Sequence, residues 1–326
     1  VIEAATIGVE ASILTGLWLG RAHYQIGFHQ TATAGAFGAT AAAGRLLGLD
    51  AAQMAQALGL AATRAGGLKA QFGTMGKPYN AGQAAACGVE VAQLIAAGFE
   101  ASADALDSAF GFGATHHGVA DMTALDGLGD AWIFESVSHK FHACCHGLHA
   151  ALEALETLKP LRATDVAKLE VATHPRWLSV CNQPAPSTGL GAKFSYATVL
   201  AMSLLGHDTA TLESYGADIC ADPLVQDLRG RVSVMGDDKL AETEAALILT
   251  QTDGAQQNAR LDLLAPMSLA TRTKRVRGKA AALIGEEVAI ANDDPNRRGS
   301  EFHSYFPFPS NSVFKPVIFS AKANGL

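Results

Sequence analysis

The run TATAGAFGATAAAGRLLG, residues 31–48, constrains the fold more than any other stretch. Its side chains are nearly all small, and Gly48 ends it. Small residues at helical spacing let neighbouring helices approach closely, so the run reads as a helix buried among others. The rest of the chain agrees. Hydrophobic residues make up 49%, charged residues 17% and aromatics only 7%. That balance supports a sizeable core and favours a compact, Ala-rich helical body over a β-sandwich.

Around this run, residues 1 to about 130 read as stacked helices. Val1–Leu19 is amphipathic and Thr31–Leu47 follows. Asp50 is a candidate N-cap for Ala51–Gly66, and Asn80–Ala97 is closed by Gly98. A short helix is expected from Ser102 or Asp104 to Phe110. The character then changes. Cys145–Leu158 is helical up to Pro160, and KLEVATH at 168–174 alternates as a half-buried strand does. Phe194–Leu205 is helical, while Val232–Val234 and Leu247–Thr250 are short strand candidates. Thr271–Ile284 is helical again. The expected division is therefore mostly α: a first helical part at 1–130, an α+β part at 131–258, a return helix to the helical body at 259–290, and a Pro-broken tail at 291–326 with no assigned structure.

Several classes are excluded by composition and pattern. The net charge is −7 and no Arg-rich run carries interleaved aromatics, so nucleic acid is not an expected partner. The first twenty residues carry Glu3 and Glu10 and lack a basic start, which argues against a signal peptide or a membrane span. Five unpatterned cysteines without an export signal point to free thiols and the cytoplasm. There is no G-x-S-x-G elbow, no P-loop and no complete G-x-G-x-x-G after a strand. The chain opens at Val1, inside a helical pattern, and reads as a fragment or trimmed product.

Three segments could carry chemistry. His29 stands just ahead of the small-residue helix, where free backbone N–H groups and the macrodipole favour anions; the alternative is a capping or packing histidine. In FGTMGKP, Lys77 sits at a helix start beside Pro78. A cation there is misplaced unless an anion joins it, so a bound carboxylate is one reading and an exposed loop lysine the other. In HKFHACCHGLH, four histidines, two cysteines and Lys140 fall within residues 139–149. On a helix Cys145 and His149 share a face, as do His142 and His146 if the helix begins early enough. Acid–base and carboxylate chemistry, a zinc site and a plain helix start are the competing readings. The spacing matches no standard zinc pattern, and His116-His117 is a possible outside contributor.

Together, HYQIGFHQTATAGAFGATAAAGRLLGLD, FGTMGKPYNAGQAAACGVEVAQLIAAGF, HKFHACCHGLHAALEAL and HPRWLSVCNQPAPSTGLGAKFS resemble the MmgE/PrpD family, in the family's order. That family includes 2-methylcitrate dehydratase, cis-aconitate decarboxylase and iminodisuccinate epimerase. The resemblance implies a large all-helical domain plus a smaller α+β lid domain, with the site in the cleft between them. It also implies a homodimer, no cofactor, and a lyase or isomerase that moves a proton α to a carboxylate, with 2-methylcitrate dehydration the favoured form. His29, Lys77, Lys140 and His149 take the catalytic positions; Thr74, His142, Cys145 and Tyr196 take substrate-binding ones. The family's D-F-D-D motif and following H-P segment are not found, and Thr198 stands in the usual tyrosine slot. Those departures support alternatives: an inactive, truncated member serving as a binding or interaction protein, and a zinc protein using the His/Cys cluster.

Overall fold

A computed structural model of the chain describes residues 1–116, 121–216 and 218–285. The tail at 291–326, the end of the expected return segment and His117 lie outside the described residues. The described chain is mostly helical with one small mixed sheet, and it divides into two compact units, 1–137 and 138–285.

The first unit is built from α1 (Ile2–Ile26), α2 (Gln30–Leu47), α3 (Ala51–Ala62), α4 (Gly76–Ala96) and the single turn α5 (Phe112–Thr115). α2 is central, with α1 and α4 packed on it. The small-residue run makes that possible. A Cβ on Gly38 would lie 1.8 Å from Ser12 Oγ and 2.3 Å from the Gly8 carbonyl, and one on Gly88 would lie 2.4 Å from Ala39. Backbones therefore touch at both crossings. Phe37, Ala41 and Val91 are sealed in the core. Asp50 caps α3 as expected, in a reciprocal capping box with Gln53.

α1 runs past its expected end at Leu19 because Gly20 supplies a non-helical link (φ 69°) to a further turn and a half. By length and composition it could cross a membrane. Here it packs as a core helix: Trp18 and Leu19 are buried, and the Glu10 carboxylate accepts the Ile133 and Phe134 N–H groups at 2.9 and 2.8 Å. The short helix expected at 102–110 is absent; that stretch is turns, with Phe110 almost fully exposed.

The second unit contains α6 (His149–Leu158), β1 (Val166–Thr173), α7 (Arg176–Cys181), α8 (Gly189–Ala192), α9 (Tyr196–Leu204), α10 (Pro223–Gly230), β2 (Val232–Gly236), β3 (Glu244–Gln251), β4 (Gln256–Asp262) and α11 (Leu269–Ile284). The strand order is β2-β1-β3-β4. β1 pairs parallel with β2 and antiparallel with β3, and β3 and β4 form a hairpin. One face is apolar: Leu169, Val171, Leu247 and Leu249 are fully enclosed, with α6 and α9 packed on the sheet. β4 (QQNARLD) escaped the sequence reading because an edge strand with polar residues carries no apolar alternation. α11 belongs to this unit, where Arg275 reaches Glu153 of α6 in a bidentate pair.

The packing makes a direct prediction. Gly38→Ala should destabilise the protein by about 2 kcal/mol, as overpacked helix crossings do. Gly82, on α4, has nothing within 4 Å of its added Cβ, so Gly82→Ala should be neutral or stabilise by up to about 1 kcal/mol. Urea midpoints of the two variants check this, and equal behaviour would refute the crossing argument.

Candidate functional site

In the first unit, His29 is the N-cap residue of α2, extended at φ −95° and ψ 99°. Its imidazole is not used as a cap. The backbone around it is a short corner: His29 N–H donates to the Gly67 carbonyl at 3.0 Å, Lys69 N–H donates to the Gly27 carbonyl at 2.8 Å, and Phe28 bridges Leu68. Gly67 is needed here. Its φ is +147°, and an added Cβ would meet Ala32 at 2.4 Å. The His29 ring sits edge-on to Phe72, with centroids 4.9 Å apart. Its Nδ1 meets Asn80 Nδ2 at 3.3 Å, and that same amide nitrogen lies 3.3 Å from the Leu68 carbonyl.

Lys77 and Asn80 stand one turn apart on α4, on the same side of the helix. α4 begins at Gly76, four residues earlier than expected, so Lys77 and Pro78 fall in its first turn. Lys77 Nζ lies over the Phe72 ring, 4.7 Å from its centroid. Burial, reinforced by the Lys77 charge, lowers the His29 pKa to about 4. The imidazole is therefore neutral at physiological pH. Thr74 serves the backbone: its hydroxyl donates to the Gln71 carbonyl at 2.9 Å and accepts the Gly76 N–H at 3.1 Å.

Behind His29 is a histidine the sequence reading passed over. His23 is fully buried, with Nδ1 2.9 Å from the His116 carbonyl and Nε2 2.8 Å from Thr33 Oγ1. Its ring stacks on Phe28 at 4.5 Å. Both nitrogens are satisfied inside the core, so His23 braces the turn that carries His29. Nothing in its sequence neighbourhood distinguishes it from a surface histidine.

In the second unit, residues 139–145 are not helical, so the expected face-sharing of Cys145 and His149 on one helix is not what assembles the cluster. A single tight turn, 146–148, leads into α6 at His149. Three imidazoles nevertheless meet: His142 lies 5.1 Å and His146 5.3 Å from the His149 ring. His149 is buried, and its Nε2 has no hydrogen-bond partner. Burial, then the neighbouring His142, His146 and Lys140, push its pKa down to about 2. The His146 pKa is lowered by burial and by Lys140. Lys140 is exposed, with Nζ 3.5 Å from the Cys144 carbonyl.

His142 is held from both sides. Its Nδ1 is 2.6 Å from Thr209 Oγ1 and its Nε2 3.0 Å from Glu153. Burial alone would raise the Glu153 pKa, but the His142 and Arg275 contacts hold it at about 2. Arg275 also stacks on Phe141, 3.8 Å from the ring centre. Glu153 thus fastens the segment carrying Lys140 to α6 and α11, a role the sequence did not signal.

Two of the expected substrate contacts are core groups. Tyr196 is fully buried; its hydroxyl donates to the Gly147 carbonyl at 2.6 Å and is shared with Thr173 Oγ1 at 2.9 Å. Burial pushes its pKa upward. Cys145 is buried, its N–H bonded to the Lys193 carbonyl at 2.9 Å, and its thiol is within hydrogen-bonding reach of Cys181, whose pKa that contact and burial push up. Burial raises the Cys144 thiol to about 12. Thr198, in the slot expected to hold tyrosine, is a buried cap partner of Ser195. Among the described residues no three His, Cys, Asp or Glu side chains are placed to hold a metal ion.

The fold is that of a mostly helical protein with one small mixed sheet, and comparison with known proteins places it. Residues 1–124 match the MmgE/PrpD N-terminal domain and residues 142–267 the MmgE/PrpD C-terminal domain. The chain belongs to the MmgE/PrpD family. It is 29% identical over 230 residues to a cis-aconitate decarboxylase of Aspergillus terreus, covering 63% of this chain and 46% of that protein. A second Aspergillus terreus cis-aconitate decarboxylase is 34% identical over 173 residues, 49% of this chain and 34% of the relative. The human cis-aconitate decarboxylase is 27% identical over 216 residues, 64% and 44% of the two chains. The matched stretch spans less than half the length of each of these relatives.

The buried neutral histidines tie stability to acid. His29 and His149 have native pKa values below the unfolded 6.5, so the unfolded chain binds more protons between 6.5 and those values. Their contribution is fully present above pH 6.5 and falls as pH drops toward 4 for His29 and 2 for His149. At pH 5 the loss is about 2 kcal/mol for each. Melting between pH 7.5 and 5 should show it, and His149→Gln should flatten the profile relative to its own value at pH 7.5. A pH-independent melting point would refute it.

Glu153 behaves in the opposite sense to a raised group. Its depressed pKa stabilises the fold above about 4.5, and that stabilisation is lost as pH falls toward 2. Its side chain is 12% exposed and that of Arg275 30%, so Glu153→Gln should cost about 2 kcal/mol at pH 7. Chemical denaturation measures this, and an unchanged stability would remove the fastening role assigned to Glu153.

Proposed function

We propose that the protein is a cofactor-independent lyase acting on a small di- or tricarboxylate, and that cis-aconitate decarboxylation is its chemistry. The observation that carries the reading is the His29 corner, where a neutral imidazole is held within the field of the Lys77 ammonium. Lysines supply fixed positive charge for carboxylates, and neutral imidazoles supply hydrogen bonds without adding charge. The named relatives draw the choice toward cis-aconitate and away from 2-methylcitrate dehydration, which remains the second substrate to test.

Chemically, decarboxylation of an unsaturated tricarboxylate breaks a C–C bond and leaves an electron pair that is delocalised toward the remaining carboxylate until carbon takes a proton. Dehydration and epimerisation begin instead with proton removal α to a carboxylate. All three need cations for the spectator carboxylates and donors for the developing charge. In this reading Lys77 holds a carboxylate and His29 contacts the reacting group; in the second unit, Lys140 and His149 are the corresponding candidates. Thr74, Cys145 and Tyr196 support the backbone that carries these groups. The large helical body with a smaller α+β lid, a homodimer and residence in the cytoplasm belong to the same proposal; sedimentation tests the dimer.

The direct test is binding and turnover. Isothermal titration with cis-aconitate should give saturable binding that Lys77→Ala weakens at least about tenfold, the value of one charged hydrogen bond. Product analysis after incubation with cis-aconitate, 2-methylcitrate and iminodisuccinate separates the chemistries. No binding by any of the three, or unchanged binding in Lys77→Ala, would overturn the reading.

A further inference from the structure

The tautomer of His29 is legible from its neighbours. Leu68 O is a carbonyl and can only accept, so the atom of the Asn80 amide facing it at 3.3 Å must be the NH₂. That amide nitrogen also lies 3.3 Å from His29 Nδ1. Its second hydrogen is then directed at Nδ1, which must present its lone pair. The flipped amide would set Asn80 Oδ1 against the Leu68 carbonyl and leave acceptors facing each other. Asn80 and His29 are both 6% exposed, so water is poorly placed to relieve that clash.

We infer that Asn80 is a positioning residue that fixes His29 as the neutral Nε2–H tautomer, so that His29 offers a ligand a hydrogen-bond donor and not a base. This deepens the carboxylate-lyase reading and rests on it for the ligand's identity, though not for the tautomer itself. Lys77 works in the same direction from the preceding turn of α4: its charge disfavours the imidazolium that would result if a proton were added at Nδ1.

The consequence is chemical. A neutral imidazole does not readily give up its last proton, so His29 is not the proton source for carbon. Its Nε2–H instead donates to a carboxylate oxygen and shares the negative charge that develops there when CO₂ leaves or an α-proton is removed. No covalent bond to His29 forms or breaks, and the proton count on the ring is the same before and after turnover. An imidazolium would bind the ground-state carboxylate more tightly, whereas the neutral donor's bond strengthens chiefly as charge accumulates.

Long-range ¹H–¹⁵N spectra of the histidine-labelled protein at pH 7.5 test the tautomer directly, with the His29 signals identified by their loss in His29→Gln. The expected result is a protonated Nε2 and a bare Nδ1, in at least about tenfold excess over the other form, the value of one well-made hydrogen bond. Asn80→Asp, which offers Nδ1 only an acceptor, should move the proton to Nδ1 and raise the pH at which the ring titrates. With cis-aconitate as substrate it should lower kcat more than it raises KM. A bare Nε2 in the unsubstituted protein overturns the inference without any variant having to fold. A folded Asn80→Asp protein with an unchanged tautomer overturns it too. An Nε2–H tautomer in a protein that fails to bind cis-aconitate would leave Asn80's role intact and count against the carboxylate reading alone.

Discussion

Backbone contact between helices is the constraint on which the first unit depends. Gly38 lies against Gly8 and Ser12 of α1, and Gly88 of α4 lies against Ala39 of α2. At these crossings only the small side chains of Ser12 and Ala39 meet a bare glycine, so α4 is seated on α2 with little freedom to slide. That seating has a chemical result. His29 starts α2, while Lys77 and Asn80 start α4, and the imidazole feels both only because the two helices are locked in register. A close-packed interior also transmits displacement. A shift of α4 by a fraction of an ångström would stretch hydrogen bonds already at 3.3 Å.

The second unit solves the same positioning problem by polar means. The segment bearing Lys140 has no helix to hold it, since α6 begins only at His149. Instead His142 is bonded to Thr209 and Glu153, Glu153 to Arg275, and Arg275 is stacked on Phe141. Burying a carboxylate at 12% exposure is costly unless it is paired and hydrogen-bonded. Here two donors meet it. The arrangement fixes the path of an irregular segment, which apolar packing, being non-directional, does poorly.

The helical body was legible in the sequence because its signal is periodic and local: small residues at helical spacing, Gly48 and Gly98 as stops, Asp50 as an N-cap. His29 and Lys77 were legible because each sits at a helix start, where its residue type is unusual. The partners that determine their behaviour were not. Asn80 is one polar residue in a helix, and its meaning comes from Leu68, twelve residues away, and His29, fifty-one away. His23, Glu153 and Arg275 are likewise defined by contacts distant in sequence. For Tyr196 the converse holds. A tyrosine near a family motif suggests a ligand, whereas its hydroxyl here links β1 to the turn before α6.

The histidines then divide by what their surroundings let them do. His23 has both nitrogens bonded to the protein and is structural. His142 is bonded on both nitrogens as well and holds a chain segment in place. His29 and His149 are each kept neutral chiefly by burial, aided by Lys77 at His29 and by His142, His146 and then Lys140 at His149. Each cation costs its neighbouring histidine the ability to carry charge, so positive charge and imidazole are assigned to separate side chains. That separation suits the carboxylate chemistry proposed above. Lysines can hold the carboxylates that stay ionised throughout, at a charge that does not change with turnover. The neutral rings are then available to answer only the charge that appears as the bond breaks, which is the charge whose stabilisation accelerates a reaction.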